Sequence, residues 1–134
     1  MKLLSRNTDY AVRAVCYIAK KAPGVVSVTE LVKNLKIPRP FLRKILQALN
    51  NDGMLRSSKG MGGGFRLARK PEDVHLTDIM EAFQGPFELN ECFFKKKICP
   101  NISSCCLKKK IDSIEKMVCK ELRAITLGSM LRGD

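Results

Sequence analysis

The chain contains a single histidine, His75, with no cysteine nucleophile near it in sequence, and its carboxylates gather around no evident substrate pocket. No catalytic constellation of base, nucleophile and oriented partner can be assembled from such an inventory, so enzyme activity is not expected. Long apolar runs are missing too: nothing approaches the roughly 18 apolar residues that a membrane-spanning helix needs. The opening MKLLSRNTDY reaches charged residues before a signal-like apolar region can form, and the expectation is a cytoplasmic protein without membrane association. Acidic residues are scarce in one half only. Residues 1–70 hold 15 Lys and Arg against 3 Asp and Glu, whereas residues 71–134 hold 10 of each, so the whole net charge of +12 sits in the first half. This imbalance points to a polyanion-binding module joined to an electrically balanced one, with nucleic acid favoured over a lipid surface.

What is present gives that module a shape. In TDYAVRAVCYIAK, Thr8 to Lys20, the residues Ala11, Ala14, Val15, Ile18 and Ala19 share one face at helical spacing, and Pro23-Gly24 closes the helix. In SVTELVKNL, Ser27 and Glu30 have the spacing of a capping box, which predicts a second, short helix ending near Leu35. After the turn KIPRP, the stretch FLRKILQALNN carries Phe41, Leu42, Ile45, Leu46 and Leu49 as an apolar stripe, with Pro40 in the first turn. Two short helices joined by a tight turn, the second with Arg39, Arg43 and Lys44 outside its stripe, match a helix-turn-helix that reads a major groove. A basic solvated face on any three-helix core is the plainer alternative. The next segment separates them, because MLRSS and FRLARK flank the glycine-rich KGMGGG as a hairpin in the position of a wing. Arg56 and Lys59 at its base and Gly62 and Gly63 in its loop let the backbone come close to phosphates or a minor groove. The Gly-Lys-Ser/Thr ending of a nucleotide-binding loop is missing.

Beyond Lys70-Pro71, HLTDIMEAFQG reads as a short helix capped by Thr77 and stopped at Gly85-Pro86. After the cysteine segment, Leu107, Ile111, Ile114, Val118, Leu122 and Ile125 recur at three- and four-residue steps, a seam whose expected cover is the same helix of a second subunit, packing on its own domain being the plainer alternative. The pattern predicts a mainly α protein with a small β-hairpin wing: a winged helix-turn-helix plus a long C-terminal dimerisation helix. Residues 1–70 are expected to form the DNA-binding domain, 71–106 a short helix and a cysteine-rich loop, and 107–134 the dimerisation helix and C-terminal segment. A homodimer of this kind presents two recognition helices about one DNA turn apart, so a palindromic or near-palindromic operator in double-stranded DNA is expected.

Five of the six cysteines lie in the second half. Cys92, Cys99 and Cys105 are separated by six and five residues, Cys106 is adjacent, and Cys119 falls on the long helix; Cys16 stands apart in the first helix as an ordinary buried thiol. A reducing cytosol argues against a disulfide framework and for metal or redox chemistry. The short C-x2-C hooks typical of structural zinc are missing, and wider loops suit a larger object such as an iron–sulfur cluster. Lys95, Lys96, Lys97 and Lys108 to Lys110 would favour thiolates and offset the charge of a ligated cluster, as they would also solvate a loop. Three thiolates leave a fourth position open. Cys106 diverges from its neighbour and Cys119 is helical, yet both stay candidates.

TDYAVRAV, SVTELV, IPRPFLRKIL, KGMGGGF, the cysteine triplet and ITLGSML, taken in this order over Met1 to about Leu131, resemble the bacterial winged-helix transcription regulators that include IscR and NsrR. The resemblance implies a homodimeric regulator whose cluster, held by Cys92, Cys99 and Cys105, controls DNA binding. The first cysteine spacing is one residue longer than the pattern of the family. The histidine that IscR-like members place after the third cysteine has no counterpart in CLKKK, whereas Asp9 matches the aspartate that NsrR-like members take from the other subunit. The implied site is therefore NsrR-like, with 4Fe-4S preferred over 2Fe-2S, Asp9 the fourth ligand and Cys106 the alternative. The DNA contacts implied are Arg39, Pro40, Arg43 and Lys44 on the third helix and Lys59 in the wing.

The expected function is that of a repressor whose operator affinity responds to nitric oxide, redox state or iron supply through the cluster. A thiol- or zinc-based switch on the same scaffold is the alternative. An electron-transfer or cluster-assembly protein would account for the cysteines but leave the basic half without a purpose.

Overall fold

The computed structural model describes residues 3–89 and 105–133. Helix α1, Arg6–Lys20, starts two residues before the sequence pattern suggests, because the Ser5 side chain accepts the Thr8 amide and caps it. Ala11, Ala14, Val15 and Ile18 are fully buried, and Ala19 is only partly so. Helix α2, Val28–Leu35, is capped by the Ser27 hydroxyl, which accepts the Glu30 amide at 3.1 Å, and ends at Lys36 in a left-handed conformation. Helix α3, Arg39–Asn51, buries Leu42, Ile45, Leu46 and Leu49. Phe41 departs from the expected stripe: it lies at the edge of the apolar arc and is 53% exposed.

Strands β1, Leu55–Ser58, and β2, Gly64–Leu67, pair antiparallel with Leu55 opposite Leu67 and Arg56 opposite Arg66. Buried Met54 and Leu55 root this hairpin in the core beside α3. The other strand is pinned to the start of α2, since Phe65 and Val26 exchange backbone hydrogen bonds at 2.8 and 2.9 Å. One glycine makes this close approach feasible and another makes the tight loop before it. A Cβ on Gly63 would collide with the Ser58 carbonyl oxygen, and one on Gly64 with the Val26 carbonyl oxygen.

A single 3-10 turn, Pro71–Asp73, leads to α4, Leu76–Gln84. Its cap is His75 and not Thr77: the His75 amide donates to the Asp78 carboxylate at 3.2 Å. The reason is a distant pairing, because His75 bridges Thr126, the Leu76 amide donates to the Ile125 carbonyl, and the Leu127 amide donates to the Val74 carbonyl. This pairing holds the junction between α5, Cys106–Ala124, and α6, Leu127–Arg132, against the start of α4.

The seam predicted on the long helix divides. Leu122, with Val118 and Ile125, packs on Leu76 and Met80 of the same chain. Leu107 and Ile114 stay outside, at 69% and 48% exposure, and Met117, which the predicted seam did not include, is exposed beside them at 65%. At the other end of the chain, Gln84 ties α4 to α1: its Oε1 accepts the Ser5 amide at 2.9 Å and the buried Thr8 hydroxyl at 2.7 Å, while its Nε2 donates to the Leu3 carbonyl at 3.0 Å.

Candidate nucleic-acid interface and metal centre

Helix α3 turns its core stripe inward, so helical geometry sends Pro40, Arg43, Lys44, Gln47 and Asn51 outward, and all five are exposed. Arg39 has another task in the fold. It is half-buried and its Nη2 donates to the Thr29 hydroxyl at 3.2 Å, a side-chain link between α2 and α3. On the wing, Arg56 and Arg66 face each other across the strands, both exposed, and Lys59 and Met61 stand at the loop. Like charges directly opposite on a hairpin repel. Among the described residues none of Arg43, Lys44, Arg56, Lys59 and Arg66 is ion-paired. An unneutralised basic face of this kind is what a polyanion would compensate. The Asn50 side chain accepts the Ser57 amide at 3.2 Å, which links α3 to the wing.

Sequence reasoning placed Arg39, Pro40, Arg43, Lys44, Arg56, Lys59, Gly62 and Gly63 on this surface, and the fold brings their segments to one side of the core. It missed Arg66, Gln47 and Asn51. Hairpin register would have put Arg66 beside Arg56, and the helical period would have put Gln47 and Asn51 beside Lys44.

The cysteines are divided. Cys92 and Cys99 lie outside the described residues. Cys105 is the N-cap of α5, half-buried, its Sγ accepting the Lys108 amide at 3.4 Å. A cysteine sulfur at this position is a soft donor of the kind that cluster iron takes. Cys106 is exposed. Cys119 is on the same helix fourteen residues on from Cys105, about 20 Å away by helical rise, so the two cannot grip one cluster within a chain. Instead Cys119 lines a cavity of about 540 Å³ between α4 and α5, together with His75, Asp78, Glu81, Glu115 and Arg123. Asp9 lies in the first turn of α1, half-exposed, with its carboxylate 3.1 Å from the Arg13 guanidinium. Among the described residues no three His, Cys, Asp or Glu side chains gather at metal-binding range. Cys16 is half-buried in the core cluster, and burial pushes its thiol above the ordinary value of 9.0 against the opposing pull of Lys20.

A three-helix core with a basic outward helix and a hairpin pinned beside it defines a winged-helix DNA-binding regulator. The chain belongs to the Rrf2 family, described as an iron-dependent transcriptional regulator, whose profile matches residues 4–133. It is 30% identical over 104 residues to the HTH-type transcriptional regulator NsrR of Bacillus subtilis, covering 77% of this chain and 71% of that protein. Its fold matches CymR, the global cysteine regulator of B. subtilis, with a TM-score of 0.84 at 21% identity over 100% of this chain and 99% of the other. It also matches IscR of T. potens, with a TM-score of 0.70 at 27% identity over 99% of this chain and 88% of the other. These relatives are transcriptional regulators, not enzymes. Among the described residues no helix is long and apolar enough to cross a membrane.

Proposed function

We propose that the chain is a homodimeric repressor whose operator affinity is set by an iron–sulfur cluster held by Cys92, Cys99 and Cys105. The observation that carries this reading is the position of Cys105. It caps α5, the helix whose outer side exposes Leu107, Ile114 and Met117, so a change at the thiol bears directly on the helix that a second subunit would cover. The far end of α5 is hydrogen-bonded to the start of α4, and Gln84 at the end of α4 is bonded to α1. Together these links form a mechanical route from the cysteine segment to the DNA-binding core.

On DNA, the exposed side of α3 with Pro40, Arg43 and Lys44 enters the major groove, and the wing with Arg56, Lys59, Gly62 and Gly63 lies along phosphates or the minor groove. Arg39 links α3 to α2 through Thr29. Two copies face two half-sites of a palindromic or near-palindromic operator. When bound, the cluster would supply a centre that nitric oxide, oxidation or iron shortage can remove. A 4Fe-4S cluster fits three cysteines with a weak fourth ligand, Asp9 of the partner subunit, a carboxylate being a hard donor that leaves cluster iron readily. Asp9 now pairs with Arg13 through one carboxylate oxygen, which leaves the other for iron, and Cys106 is the competing ligand.

Anaerobic reconstitution followed by iron, sulfide and duplex-binding measurements tests the proposal. One acid-labile-sulfide cluster per chain, and altered DNA affinity in Cys99→Ala, are expected; a chain that takes up no sulfide, or DNA binding indifferent to Cys99, refutes it. The exposure of Cys106 beside Cys105 favours a second reading, a thiol or zinc switch on the same scaffold. Stoichiometric zinc, or an oxidant-induced disulfide seen by mass spectrometry, would select it.

A further inference from the structure

We infer that Phe41 is a specificity-determining residue that reads the 5-methyl group of thymine in the major groove. This inference rests on the proposed entry of α3 into that groove. Phe41 is the third residue of α3, within the N-terminal turn that a recognition helix points at base edges. Its neighbours Leu42, Ile45 and Leu46 are at most 2% exposed, whereas Phe41 keeps 53% of its surface in water. The packing of the fold therefore does not require a phenylalanine there. The surroundings are not those of an apolar docking patch either. Pro40, Arg43 and Lys44 are exposed on the same turns, and neither basic side chain is ion-paired among the described residues. A polyanion drawn to those charges brings one strongly apolar group within reach of the ring, the C5-methyl of thymine.

Direction of the ring agrees with this assignment. On a helix, side chains one turn apart share a face, so Phe41 lies beside Lys44 at the border between the core stripe and the outward face. Lys44 holds the backbone while Phe41 touches a base edge. Buried Leu42 and Ile45 anchor this turn in the core, and Arg39 is bonded to Thr29 of α2, so the ring is presented by a packed element.

The test begins with selection of a tight duplex from a random pool by the full-length protein. Each thymine of that duplex is then replaced by deoxyuridine, which removes only the methyl group. Binding of the wild type should weaken about fourfold at one or two positions in each half-site, the value of one buried methyl. Phe41→Ala should bind the parent duplex about tenfold more weakly and be indifferent to uracil at those positions, with an unchanged salt dependence because no charge is removed. Phe41→Leu should recover part of the affinity, and both variants should keep the wild-type circular-dichroism spectrum at the assay temperature. A wild type indifferent to every deoxyuridine, or a Phe41→Ala protein that keeps the wild-type sensitivity, would overturn the inference and leave groove entry by α3 standing. An altered sedimentation profile in Phe41→Ala with unchanged DNA affinity would overturn it in favour of a subunit contact. Failure to select any duplex, or unchanged affinity in Arg43→Ala/Lys44→Ala, would instead remove the reading beneath it.

Discussion

Replacing Gly64 by alanine tests whether the wing is held in place by its contact with the start of α2. The new methyl would overlap the Val26 carbonyl oxygen and lie 2.6 Å from the carbonyl carbon and 2.9 Å from the Ser27 Cα. All three are backbone atoms, so no rotamer change relieves the overlap, and β2 must move off Val26. That movement breaks the reciprocal pair between Phe65 and Val26, at 2.8 and 2.9 Å. Two hydrogen bonds at about 0.5–1.5 kcal/mol each give a loss of about 1–3 kcal/mol. For a chain of this length, about 2 kcal/mol corresponds to a fall in Tm of roughly 8 °C. Thermal unfolding followed by circular dichroism measures it, with Met61→Ala, at the fully exposed tip of the loop, as the control that should not move. Duplex affinity should fall as well, since the displaced wing carries Arg56 and Lys59 with it. A Gly64→Ala protein that melts within a degree or two of the wild type and binds DNA as tightly would refute the reasoning.

Three further outcomes are expected. Gln84→Leu leaves the Ser5 amide and the Leu3 carbonyl without their partners, although Thr8 can still turn to the Ser5 hydroxyl 2.9 Å away; urea titration should show a loss of about 1–3 kcal/mol. Arg43→Ala/Lys44→Ala should weaken binding to all duplexes and lower the slope of log affinity against log salt by about 1 to 2, one for each phosphate no longer neutralised. For Cys16, a thiol held protonated by burial binds its proton more tightly folded than unfolded. The stability it contributes is present below the unfolded thiol value and is lost as pH rises through the folded one. Iodoacetamide at mildly alkaline pH should therefore label exposed Cys106 well before Cys16, as peptide mass spectrometry would record.

How much of this was legible in the sequence depends on the range of the interactions concerned. The stripes of α1 and α3 follow from helical period, and the turn glycines from the need for close backbone approach, so the order of elements could be read directly. Long-range pairing was not legible. Thr77 has the side chain of a cap, yet His75 takes the position because residues 125–127 pair with residues 74–76. The Gln84 bonds to Leu3, Ser5 and Thr8 join residues about eighty positions apart, and nothing local announces them. Phe41 misled because an apolar residue at the edge of a stripe has the same pattern whether it is buried or presented. The seam of α5 was correctly apolar, but which part α4 covers depends on how the two helices meet. At the cysteine site, spacing groups the thiols in sequence, whereas the arrangement of Cys92 and Cys99 lies outside the described residues. Helical rise alone was enough to separate Cys119 from Cys105.

The most direct test of the account is the affinity of the anaerobically reconstituted protein for its selected duplex, measured at one salt concentration before and after removal of the cluster, with Cys99→Ala alongside. The account predicts that the cluster-loaded and stripped wild type differ at least tenfold and that Cys99→Ala matches the stripped form whatever iron and sulfide are supplied. Equal affinity in all three would contradict it.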